Sequence, residues 1–211
     1  MYLEDVLLIA EESKKLNVPM IVVTNGALLT ERFLRTYAAL GHILVISLET
    51  MDKDKWANFR GRNHYEHVMR NIMIARSSLG SKLRIQSVLA KETLDDVPLI
   101  KAFCDEHSIP HVIQPYMDFG GCWHSADKYR DTGVTCAARK NICIYPNGDV
   151  VKCFDHHRIP SAKDPLGSIA KEDIITILCK KRSTEVSKIM KTCNYPCKQL
   201  SCNIPAAIYN S

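Results

Sequence analysis

Apolar residues recur at helical spacing through Leu3, Val6, Leu7, Ile9, Ala10 and Leu16, and Pro19 then separates them from the run Met20-Ile21-Val22-Val23. The change from a period near 3.6 to an unbroken apolar block predicts a helix followed by a buried strand. Thr24-Asn25-Gly26 reads as a turn, and the next helix runs from Thr30, a residue type that caps helix N-termini, to Leu40, where Gly41 ends it. Ile43-Leu44-Val45-Ile46-Ser47-Leu48 is the next strand. The cycle repeats with a helix through Val68, Ile72, Ala75 and Leu79, stopped at Gly80, and a strand from Leu83 to Leu89. A further round places a helix over Asp95 to His107, with Pro98 in its first turn where a missing N–H is harmless, and a strand over His111 to Pro115. Strands alternating with helices of this length imply an α/β fold with a parallel sheet and right-handed crossovers.

After Tyr116 the rhythm stops, glycines arrive at Gly120, Gly121 and Gly133, and most of the nine cysteines lie beyond this point. The boundary is expected near residue 118, between an α/β region (1–118) and a small cysteine-rich region (119–211). The second region carries a hairpin signal, Ile142 to Tyr145 and Val150 to Cys153 around Pro146-Asn147-Gly148-Asp149, in which Asn-Gly supplies the positive φ of a tight turn. Lys171 to Lys191 reads as one amphipathic helix, and a cysteine-rich tail with Pro196 and Pro205 follows from Thr192.

Composition narrows the function classes. With 211 residues, 46% of them hydrophobic, the chain can bury a real core, so disorder is not the default. The net charge of +5 comes from 28 basic residues interspersed with 23 acidic ones, without blocks of like charge, which argues against nucleic-acid binding. No apolar run approaches the roughly 18 residues that span a bilayer, and Met1 leads into a helical pattern rather than a secretion signal. The expected location is cytoplasmic, where cysteines serve metal ligation or redox chemistry more often than disulfides.

The cysteine spacing carries the chemistry. Cys136 and Cys153 bracket the hairpin, with eleven residues from Cys136 to Gly148 and four from Gly148 to Cys153, so their thiols could meet at its open end. Cys193, Cys197 and Cys202 lie close together downstream. Thiolates are soft ligands for zinc or iron–sulfur clusters, and two from a hairpin plus two from a distant loop can close a tetrathiolate site. Burying them without metal is costly, so metal and fold should be coupled. Cys104 and Cys179, each within a predicted helix, read as core. Cys122, in Gly120-Gly121-Cys122-Trp123-His124, fits equally a loop beside a cluster or a plain turn. His156-His157 reads as an exposed pair, with metal ligation as the alternative.

Cys136-x11-Gly148-x4-Cys153 followed by Cys193-x3-Cys197-x4-Cys202 resembles the SPASM region, or its shorter Twitch form, of radical S-adenosylmethionine (radical SAM) enzymes. The resemblance implies auxiliary 4Fe-4S binding. A further cysteine expected shortly after Cys202 is absent, with Ala206 and Ala207 there instead. One cluster is therefore expected, held by Cys136, Cys153 and two of Cys193, Cys197 and Cys202, with Cys143 as a substitute ligand.

The α/β region is similar to the later strands of the radical SAM partial barrel, through Thr24-Asn25-Gly26 at a strand end, Ile46-Ser47-Leu48-Glu49 on the next strand and Phe59-Arg60-Gly61. That resemblance places Ser47 and Glu49 near the methionine and ribose of the cofactor, with Gln86 on the following strand. The plainer alternatives are a strand-ending serine, a solvated carboxylate and a glutamine hydrogen-bonded inside the barrel. The C-x3-C-x2-C loop that chelates S-adenosylmethionine through an open iron is absent, as is the Gly-Gly-Glu-Pro type segment. Four strands stand where the family has six, and Met1 falls about where the helix after the family's second strand would begin. The expectation is a truncated radical SAM chain that binds a cluster without starting radical chemistry. It would use S-adenosylmethionine only if the missing N-terminal part is supplied. Expected partners are a peptide substrate or a chain completing the barrel. The competing reading is a zinc-stabilised, non-enzymatic peptide-binding module.

Overall fold

The computed structural model describes residues 3–115, 142–153 and 162–191. The chain divides into two compact units, Met1–Ala126 and Asp127–Ser211. The boundary expected near residue 118 lies outside the described residues.

The first unit alternates helix and strand as the periodicity predicts: α1 (Leu3–Lys15), β1 (Ile21–Thr24), α2 (Glu31–Leu40), β2 (Ile43–Ser47), α3 (Lys53–Arg60), α4 (Tyr65–Leu79), β3 (Leu83–Leu89), α5 (Asp96–Glu106) and β4 (His111–Pro115). The strands form one four-stranded sheet in the order β1-β2-β3-β4, with every pairing parallel. Sequential order with right-handed crossovers puts the connecting helices on one face. Leu44, Ile46 and Leu48 alternate onto that face with Leu83 and Ile85, and they are sealed by Phe33, Leu34 and Tyr37 of α2, Val68, Ile72 and Ala75 of α4 and Ile100 of α5. Each of the leucine, isoleucine, valine and phenylalanine side chains among them contributes about 1.5–3 kcal/mol by leaving water.

Local chemistry sets the boundaries. Thr30 accepts the Phe33 backbone N–H at the start of α2, and Gly41 ends it in the left-handed conformation at φ 78°. Helix α3 is not foreseen by the periodicity, although its signals are in the chain: Asp52 caps it through the backbone N–H groups of Asp54 and Lys55, and Gly61 terminates it at φ 67°. Its eight residues hold a single buried side chain, Trp56, too little for an amphipathic period to register.

The turn after β1 is held from beneath. Gly26 sits at φ +76°, and a Cβ there would lie 3.1 Å from Ile46 Cγ2 and 3.3 Å from Val68 Cγ1, so both conformation and space require glycine. Asn71 of α4, 1% exposed, donates through Nδ2 to the carbonyl oxygens of Gly26 (3.1 Å) and Leu29 (2.9 Å).

In the second unit the hairpin is shorter than expected, β5 (Cys143–Ile144) paired with β6 (Asp149–Val151), with Gly148 at φ 86° in its turn. A third strand, β7 (Gly167–Ser168), joins β6. The single helix expected over Lys171 to Lys191 is two, α6 (Ile174–Cys179) and α7 (Lys181–Lys191). Asp173 caps α6 through the N–H groups of Ile175 and Thr176, and Lys180 leaves helical geometry at ψ 144°. There its ammonium meets Glu172 at 2.5 Å. A Cβ on Gly167 would come within 2.5 Å of the Glu172 carboxylate and 2.9 Å of Ile177, so this glycine lets strand and helix approach.

Asn71→Ala strands two buried carbonyls and is expected to destabilise the first unit by about 3 kcal/mol, read as a lower urea midpoint with an unchanged m-value. Asn71→Leu is the matched comparison, since it roughly keeps the volume and removes the donors without adding a charge.

Candidate functional site

Ligands of open parallel sheets sit beyond the carboxyl ends of the strands. The register brings Ser47, the last residue of β2, opposite Gln86 of β3, and Gln86 opposite Val112 of β4. Both polar side chains are half-buried. They lie in register on the sheet face opposite the helical core, since Ile46, Leu48 and Ile85 turn into that core. The ladder runs one step beyond β2 through the bond from Leu48 N–H to the Gln86 carbonyl, 2.9 Å.

Glu49 follows, and the solvated alternative for it is wrong. Its side chain is 4% exposed and its Oε2 lies 2.5 Å from Nη2 of Arg60 at the end of α3. Desolvation raises the Glu49 carboxyl above its ordinary value, and the charge and hydrogen bond of Arg60 oppose that rise. The Arg60 guanidinium stacks over Trp56 at 5.3 Å. A second buried carboxylate, Asp96 at the start of α5, pairs with Lys55 of α3 and accepts the Thr50 hydroxyl proton at 2.5 Å. Thr50 Oγ1 in turn accepts the Asp52 N–H at 3.0 Å. Two ion pairs thus hold α3 at the end of the sheet. The sequence pattern marks Arg60 without a partner and leaves Lys55, Thr50 and Asp96 unmarked, because neither pairing is local.

His111, at the start of β4, contacts Ser87 Oγ through Nε2 at 2.8 Å, and Ser87 donates its one proton to the Leu48 carbonyl, also at 2.8 Å. Nε2 must therefore carry hydrogen. Burial first, then Lys101, lowers the His111 pKa.

In the second unit, Cys153 is buried in a cluster with Val150, Ala162, Leu166, Ile177, Val186 and Met190. Cys143 is half-buried, and burial pushes its thiol up. Cys104 is core as expected, its thiol pushed up to about 12 mainly by burial. Cys179 is not core: it ends α6 exposed, because the break at Lys180 turns that position outward. Cys122, Cys136, His156, His157, Cys193, Cys197 and Cys202 lie outside the described residues. Among the described residues no group of three or more possible metal ligands converges.

A carboxyl whose folded pKa is raised contributes most to stability below its ordinary 4.5, and this contribution is lost as pH rises through the folded value. Wild type is therefore expected to lose stability relative to Glu49→Gln as pH rises above 4.5. Arg60→Gln should move the Glu49 titration further upward and cost about 2 kcal/mol at neutral pH, less than a fully buried pair because Arg60 is partly exposed. Denaturation at several pH values and carboxyl carbon NMR titration check both.

No protein-family model matches the chain, and no curated protein matches it. Solved structures do. Native anSMEcpe with bound AdoMet superposes with a TM-score of 0.63 at 15% identity, covering 95% of this chain and 68% of that one. Streptococcus suis SuiB bound to S-adenosylmethionine gives 0.61 at 16% identity, covering 90% of this chain and 57% of that one. Native anSMEcpe with bound AdoMet and Kp18Cys peptide gives 0.62 at 14% identity, covering 95% and 70%. A histidine-tagged anSMEcpe with bound AdoMet is covered over 66% of its length, so the chain spans about two thirds or less of several of these structures. At such identities the likeness is one of fold, and that fold is the α/β partial barrel of the radical SAM type, here with four parallel strands and a second small sheet.

Proposed function

We propose that this chain is the later part of a radical SAM enzyme of the SPASM or Twitch kind and holds one 4Fe-4S cluster in its C-terminal unit. The ligands are Cys136, Cys153 and two of Cys193, Cys197 and Cys202, with Cys143 in reserve. The observation that carries this reading is the packing of Cys153 in one buried cluster with Met190 of α7. Cys193 follows Met190 by three residues, a chain reach of at most about 10 Å. That packing and the short spacing support a shared metal centre for the Cys153 thiol and the first tail thiol. An all-thiolate donor set suits iron–sulfur chemistry, and when bound such a fully ligated cluster supplies an electron carrier.

In the first unit, Ser47 at the end of β2 stands in register with Gln86 in the middle of β3, on the face where S-adenosylmethionine would lie, with the Glu49 carboxylate oriented by Arg60. Two neighbouring structures contain a bound peptide as well as AdoMet, which supports a peptide as the partner to be modified. These 211 residues carry no C-x3-C-x2-C spacing. They therefore lack the three-thiolate iron that would present the cofactor for cleavage, and a four-cysteine cluster leaves no open position.

Protein prepared without oxygen is expected to contain about four irons with matching acid-labile sulfide per chain. Cys136→Ser and Cys153→Ser should lose both, while Cys104→Ser retains them. Zinc without sulfide would identify instead a zinc-stabilised binding module. Under dithionite with S-adenosylmethionine, this chain should form no 5′-deoxyadenosine, whereas the same residues joined to a segment bearing C-x3-C-x2-C should form it. Turnover by the 211 residues alone would overturn the reading.

A further inference from the structure

A cavity of about 210 Å3 opens beside the turn after β1, its walls including Asn25, Leu28, Trp56, Arg60, Arg62 and His64. It is smaller than the roughly 300–1,000 Å3 of a typical small-molecule pocket, so it suits one chemical group rather than a whole ligand. Its charge is one-sided, since two arginines and a histidine line it and none of the lining residues is acidic. Arg60 is already engaged by Glu49, so its remaining N–H donors add direction more than net charge. Among the described residues Arg62 has no ion-pair partner, and it is exposed, as is His64.

The donors of the wall are in place before any ligand arrives. Asn25 spends Oδ1 on the Ala27 N–H at 3.1 Å, which leaves its Nδ2 to donate. Asn71 locks the carbonyls of Gly26 and Leu29 beneath the same loop, so that wall is rigid. Opposite, Gly61 ends α3 and turns the chain so that Arg62 and His64 reach the cavity. His64 is the N-cap of the fifteen-residue α4 but makes no side-chain cap bond. The first-turn N–H groups of α4 therefore add positive potential on this side. Trp56 forms the inner wall, 2% exposed, and its indole Nε1–H has no acceptor among the described residues.

We propose that this cavity is a binding site for a compact oxyanion, a carboxylate or phosphate group carried by a larger ligand. Arg62 supplies the charge, Arg60 and Asn25 supply directed N–H donors, and Leu28 flanks the attached carbon skeleton. The site stands apart from the cluster reading, because it needs neither metal nor S-adenosylmethionine.

The chain has two tryptophans, so Trp123→Phe leaves Trp56 as the sole indole reporter. At constant ionic strength, inorganic phosphate or acetate is expected to give a saturable change in Trp56 fluorescence with a Kd at or below about 10 mM. Arg62→Gln and, separately, His64→Gln change exposed residues and should leave the fold intact. Arg62→Gln should weaken binding at least about tenfold, equivalent to about 1.4 kcal/mol. A phosphate preference assigns the site to phosphoryl-bearing ligands, and an acetate preference to carboxylates such as acidic peptide side chains. The proposal is overturned by the absence of saturation with either anion, by equal affinity in Arg62→Gln, or by competitive displacement of the anion by S-adenosylmethionine, which would make the cavity part of the cofactor site.

Discussion

Two carboxylates, Glu49 and Asp96, are taken out of water at the carboxyl end of the sheet, where a buried charge is costly unless it is paired. Both cations come from the same short helix: Arg60 reaches Glu49 and Lys55 reaches Asp96. That constraint fixes the position of α3 more than its own packing does, for Trp56 is its one buried side chain. From it follow the inner indole wall, the turn at Gly61 and the placement of Arg62 and His64. Tyr65, at the start of α4, closes the arrangement by donating its hydroxyl to the Met51 carbonyl at 2.8 Å. The strand ends are thus a built polar surface rather than a sheet that stops.

The opposite edge of the sheet is organised differently. Strand β1 is an edge strand, and its Ile21 and Val23 are 44% and 55% exposed while Val22 between them is buried. Alternation explains the contrast, since Val22 faces the helical core and its neighbours face the other side of the sheet. In the second unit the apolar core is small, seven buried residues centred on Val150, Cys153 and Ile177 among the described positions. A core of that size supplies limited stabilisation by itself, which is why a metal bound through Cys153 would bear directly on its folding.

Much of the first unit is legible in the chain. Strand positions, the caps at Thr30 and Gly41, the proline-tolerant start of α5 and the burial of Cys104 all follow from local spacing and side-chain chemistry. The expectations that failed share a cause. Lys171 to Lys191 has the composition of one helix, yet Lys180 leaves it where its ammonium meets Glu172 above Gly167, a residue distant in the chain. Cys179 moves from core to surface with that break. Glu49 is ambiguous in the sequence because nothing beside it in the chain shows that Arg60, eleven positions later, would meet it.

The sequence by itself determined the alternation of elements, the parallel sheet, the hairpin and the cysteine spacing, because propensity, periodicity, capping and ligand softness act over a few residues. Only the tertiary structure decided which polar groups are buried and with whom: Glu49 with Arg60, Asp96 with Lys55 and Thr50, and Asn71 with the loop after β1. The reason is desolvation. A carboxylate, an amide or an indole N–H has no fixed energetic meaning along the chain, and it acquires one when folding removes its water and supplies, or withholds, a partner.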